Sequence, residues 1–74
     1  MTRFTSAKAD RWIADIDKQI AQANKFLDDS HPILLAAKGG RYSRLIELRS
    51  KTKDRIVLLR EERALAETVR AEFK

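Results

Sequence analysis

His31 is the only imidazole in the sequence, and there is no cysteine. One copy of the chain therefore holds neither a histidine pair for zinc, nor a thiolate metal site, nor a cysteine nucleophile. Paired carboxylates are the next candidates for moving protons. Asp28-Asp29 and Glu61-Glu62 are adjacent pairs, but neighbouring side chains on a helix point about 100° apart and do not converge on one substrate atom. General acid–base work also needs a concave site that excludes water, and a pair of helices encloses little such space. The expectation is a protein that is not an enzyme, with no catalytic residue, no metal and no cofactor. His31, beside Pro32, reads as a turn or cap residue, with a pH-sensitive contact at a partner surface as the alternative.

Anion binding is the second chemistry on offer. Residues 38–60 carry Lys38, Arg41, Arg44, Arg49, Lys51, Lys53, Arg55 and Arg60 against Glu47 and Asp54, a net of +6, whereas the whole chain is +5. All the excess positive charge thus lies in one block. On a helical wheel Arg44, Lys51 and Arg55 fall on one flank of the apolar stripe, and Arg49, Lys53 and Arg60 on the other. Lys38, Arg41, Arg44, Lys51 and Arg55 are the candidate anion- or partner-binding residues. Two readings stay open. Cations on one rigid helix can neutralise successive phosphates of a nucleic acid or nucleotide. They can equally pair with acids across a helical seam, such as Asp10, Asp15 and Asp17 of the same chain or Glu61 and Glu62 of a second one. Tyr42 is the only aromatic residue in the block, which leaves few stacking platforms for bases. Lys38-Gly39-Gly40-Arg41 has glycines that would let backbone N–H groups approach a phosphate, but lacks the Walker spacing and a following Lys-Ser/Thr, so it reads first as a turn.

These residues must be positioned by helices. Thr5 or Ser6 can cap a helix start, and from there Ala9, Ile13, Ile16, Ile20, Ala23 and Leu27 alternate at spacings of four and three, which keeps one narrow apolar seam facing a neighbour. Trp12 and Phe26 flank it. Asp28-Asp29-Ser30-His31-Pro32 predicts the end of this helix near residue 29, because the residue before proline is biased away from the helical region. Residues 30–40 then read as the connection, with Ile33, Leu34 and Leu35 plugging the end of the helix pair. From about residue 41 to 73 no helix breaker occurs. Leu45, Thr52, Leu59, Ala66 and Phe73 recur every seven residues, with Leu48, Ile56 and Val69 beside them. The fold class is all-α: a single helical domain, an antiparallel hairpin of two long helices assembled into a coiled-coil-like oligomer.

Oligomerisation is expected on two grounds. A 74-residue chain buries only roughly 60% of its unfolded surface, so its own core is thin. Helix 2 at roughly 48 Å outruns helix 1 at roughly 36 Å, which leaves its last turns overhanging. Leu59, Leu65, Val69 and Phe73 are the candidate oligomer interface, with Ile46, Val57 and Leu58 also off the main seam and Phe4 able to cover part of the overhang. No apolar run approaches the roughly 20 residues of a bilayer span, and Met1-Thr2-Arg3-Phe4 leads into a charged helix rather than a signal-peptide apolar region, so a cytoplasmic protein acting away from the membrane is expected. The functional expectation is a regulatory or inhibitory interaction protein, of the kind often carried by phages and mobile elements, whose partner is a protein with an acidic surface. The alternative is a nucleic-acid or nucleotide binder using the basic block.

Overall fold

The computed structural model describes residues 6–72. Two helices, α1 (Ser6–Ala36) and α2 (Gly40–Ala71), fold back on each other, and the hairpin measures 53 × 20 × 15 Å. The α1 seam behaves as its spacing predicts. Ala9 and Ile16 are buried, and Ile13, Ile20, Ala23 and Leu27 are half-buried along the same seam. Opposite them Ile56, Leu59 and Ala66 are buried. Ile16, Leu59 and Ala66 form the core, with Trp12, Ile13 and Ile20 packed around it. Ala9 and Ala66 have no exposed surface, as expected where small side chains let two helix backbones approach closely.

The helix boundaries differ from the sequence expectation. α1 does not stop at residue 29 but continues through Ser30, His31 and Pro32 to Ala36. His31 is therefore an exposed residue of a helix, not a turn. An interior proline costs about 3 kcal/mol, because it removes an N–H donor and crowds the carbonyl four residues back. Packing offsets that cost here. Leu34 and Ala37 extend the four-and-three seam beyond Leu27 and Ser30, and both are half-buried. Pro32 itself faces solvent, where the carbonyl it leaves unpaired can be hydrated.

The connection is consequently only Ala37, Lys38 and Gly39. The Ala37 N–H donates to the Leu34 carbonyl at 3.2 Å, closing α1, and the Ser43 N–H donates to the Gly39 carbonyl at 3.2 Å in the first turn of α2. Gly39 has φ +63° and ψ −134°, a region open essentially to glycine alone, so the chain reverses at the one residue type that tolerates it.

A longer α1 removes the predicted overhang. The helices have 31 and 32 residues, and the last turns of α2 lie against the first turns of α1: Val69 is half-buried, and Arg70 Nε donates to Asp10 Oδ1 at 2.6 Å. The plug is also absent. Leu34 is half-buried, but Ile33 is 60% and Leu35 76% exposed. Phe4 and Phe73 lie outside the described residues.

Candidate partner-binding groove

The α2 seam includes arginines. Leu45, Arg49, Thr52, Ile56, Leu59, Arg63, Ala66 and Arg70 alternate at four and three residues, and every one is buried or half-buried. Thr52 is tolerated there because its hydroxyl donates to the Leu48 carbonyl at 2.8 Å. Each arginine reaches across to α1. Arg49 Nη1 donates to the Leu27 carbonyl at 2.6 Å and to Ser30 Oγ at 2.5 Å. The Ser30 hydroxyl, itself buried, donates to the same carbonyl at 3.3 Å. Arg63 Nε donates to Asp17 Oδ1 at 2.6 Å, and Arg63 also pairs with Glu67 on its own helix.

These interactions, the hydrogen bond to Asp17 foremost and that to Glu67 next, raise the Arg63 guanidinium pKa above its ordinary value. A raised folded pKa contributes stability that is whole below the unfolded value and is lost only as pH rises through the folded one. The cation side of this bridge is therefore intact at all pH values near neutrality. Two further links cross the hairpin: Trp12 Nε1 donates to Glu62 Oε1 at 2.9 Å, and Arg55 Nη2 to Gln19 Oε1 at 3.0 Å. Asp10 and Asp17 are thus acids that pair across the seam, but with Arg70 and Arg63 rather than with the flanking cations.

The candidate cations divide into two groups. Lys51 bonds Glu47 one turn away at 3.3 Å, and Arg55 is held by Gln19. Lys38, Arg41 and Arg44 are exposed and have no hydrogen-bond or ion-pair partner among the described residues. Arg41 and Arg44 form one wall of an open groove of about 660 Å3 at the connection end, together with Leu48, against Pro32, Ile33 and Ala36 of α1. Leu48 was expected beside the seam; it is instead 52% exposed on this wall. A shallower depression continues the same face along α1 through Ile33 and Phe26, and a third, bordered by Phe26, Thr52 and Arg55, carries it on to Gln19. Lys53 borders a separate depression on the opposite face with His31, Leu34 and Ile46.

The candidate oligomer residues are likewise split. Leu59 is buried against α1 and is not on the surface, because it is a core position of the hairpin's own seam. Val69 is half-buried, while Leu65 is 57% exposed and shares the outer face of α2 with Leu58, one heptad earlier. Ile46 and Val57 are exposed, as their positions off the seam predict.

Sequence reasoning missed the α1 half of the groove. Its signal was present: Phe26 and Ile33 are seven residues apart and share a face once α1 is allowed to run through Pro32. Among the described residues no group of three histidine or acidic side chains could hold a metal ion, and no helix is long and apolar enough to cross a membrane. Compared with known protein families, curated proteins and solved structures, the chain matches none.

Proposed function

We propose that this chain is a non-enzymatic interaction protein, regulatory or inhibitory in its effect, that works by seating part of another macromolecule in the groove at its connection end. The observation that carries this reading is the combination of exposed Ile33, Leu48 and Pro32 with two arginines that no acid among the described residues pairs with. Apolar surface held open between rigid helices and rimmed by free cations fits a docking site better than a solvated face.

A protein partner is favoured over nucleic acid by the way the basic block is used. Arg49, Lys51 and Arg55 have partners within the chain, and Lys53 borders the opposite face from Arg41 and Arg44. That leaves Arg41 and Arg44 as the block's cations on the groove with no hydrogen-bond or ion-pair partner among the described residues, too few to follow a run of successive phosphates. Fluorescence anisotropy against a random duplex of about 20 base pairs and a single-stranded RNA, at about 50 and about 200 mM salt, tests this. No binding at the lower salt is expected. Micromolar binding that collapses over this range, and disappears in Arg44→Glu/Lys51→Glu with helicity intact, would replace the protein partner by nucleic acid.

We also propose that the chain self-associates through the outer face of α2. Leu58 and Leu65 support this, being large, exposed and one heptad apart on a hairpin whose own core is thin. Sedimentation equilibrium at micromolar concentration is expected to give a multiple of the monomer mass, and the monomer mass for Leu58→Glu/Leu65→Glu. A wild-type chain that sediments as a monomer would remove the oligomer from this reading.

A further inference from the structure

We infer that the occupant of the groove is a single amphipathic helix of a partner protein, with carboxylates along its flank, which lies against both helices and completes a three-helix bundle. This inference rests on the docking role proposed above and specifies its partner. Three observations carry it: the continuity of the face, its lining and its charge.

The depressions are not separate. The connection-end groove and its neighbour share Ile33, and that neighbour and the next share Gln22 and Phe26. From Gln19 to Ala37 the face follows α1 for about 27 Å at 1.5 Å per residue, which matches about five turns of another helix. Its backbone belongs to two helices whose polar groups bond within each helix, apart from the carbonyl that Pro32 leaves unpaired and those at the helix ends, so an extended segment would find no sheet edge to join. Recognition must come from side chains fitting between ridges, as in helix–helix packing. Ile33 is 60% and Phe26 37% exposed, and the two stand about 10.5 Å apart along α1. That is the separation of residues i and i+7 on the incoming helix, so apolar anchors at i, i+3 or i+4, and i+7 would fill the spaces around them.

Charge selects the sign of the partner. The face is bordered by Lys25, Arg41 and Arg44, with Arg55 bonded to Gln19 at its far end, against one acid, Asp29. Arg41 and Arg44 lie one turn apart on α2, so glutamates one turn apart on the incoming helix would meet them in register. A partner with lysines on that flank would place like charges together and be rejected.

The test is selection of peptides of about 18 residues, roughly the length of the face, from a random displayed library on the biotinylated full-length chain, with Leu48→Asp as counter-target. The selected peptides are expected to share apolar residues at helical i, i+3/i+4, i+7 spacing and acidic flanks. They should become helical when bound, and lose about tenfold or more in affinity for Arg41→Glu/Arg44→Glu. These positions are exposed and make no hydrogen bond or ion pair among the described residues, and circular dichroism will verify that the variants fold. Selected peptides without acidic bias, or indifferent to the double reversal, would overturn this inference while leaving the docking role in place. Selection of nothing that distinguishes wild type from Leu48→Asp would overturn both. Vesicles of about 30% phosphatidylserine that bind the chain through Arg41 and Arg44, where no acidic peptide does, would overturn it in favour of a lipid surface.

Discussion

Ile16→Ala is expected to remove about 2 to 4 kcal/mol of folding stability, read as a fall in the urea midpoint of the helical circular dichroism signal. Ile16 is 1% exposed and is the only large side chain fully buried among the described residues. It contacts Leu59 and Ala66 from α2 within a core that holds few other residues. Truncation removes most of a buried side chain and leaves a cavity, and two rigid helices can collapse into that space only partly. The loss is large against the whole, because a chain of this length has roughly 4 to 11 kcal/mol to lose. Ile16→Val should cost about 0.5 to 1.5 kcal/mol. Leu58→Ala, which trims a side chain 64% exposed, should stay within about 0.5 kcal/mol when measured at concentrations where the chain is monomeric. Equal effects at Ile16 and Leu58 would mean that the seam faces the other way.

The second large effect is expected at Arg49. Replacement by alanine should cost about 2 kcal/mol, since it removes hydrogen bonds from a charged donor to the Leu27 carbonyl and to Ser30 Oγ. Both acceptors sit just before Pro32, where α1 most needs support from its neighbour. The loss should therefore have a local signature: faster amide hydrogen exchange in residues 33–36 than in residues 12–20. Arg49→Lys should recover only part of the stability, because one ammonium cannot reproduce the fork of a guanidinium. Full recovery by lysine would show that charge alone matters at this position, and uniform exchange along α1 would show that Arg49 does not brace the proline.

Much of this architecture is legible before folding. The four-and-three spacing from Ala9 to Leu27 and the heptad through Leu45, Thr52, Leu59 and Ala66 identify the two faces that meet, because side-chain direction on a helix follows directly from residue number. The glycine at the reversal follows as well: no other residue type adopts the backbone of Gly39 without strain. The exposed positions of Ile46, Val57, Leu58 and Leu65 were equally evident, since each lies off both patterns.

The sites of departure share one cause. Local rules at Asp28-Asp29-Ser30-His31-Pro32 favour a helix end, and those rules weigh only neighbouring residues. Whether α1 continues depends on what α2 offers across the gap, namely seam contacts for Leu34 and Ala37 and the guanidinium of Arg49. Lengthening α1 then changes everything at both ends: it partners the last turns of α2, brings Asp10 to Arg70, and sets Ile33 opposite Leu48 to open the groove.

The same distinction separates the arginines. In the sequence Arg41, Arg44, Arg49 and Arg55 belong to one basic block, equal in type and close in number. Composition and spacing determined that the chain forms two amphipathic helices and that one of them carries the excess positive charge. Only the tertiary structure decided which cations are used in holding the helices together and which stay exposed with no hydrogen-bond or ion-pair partner among the described residues. Whether a guanidinium is satisfied depends on the atoms that the other helix brings within about 3 Å, and that proximity exists only once the helices have packed.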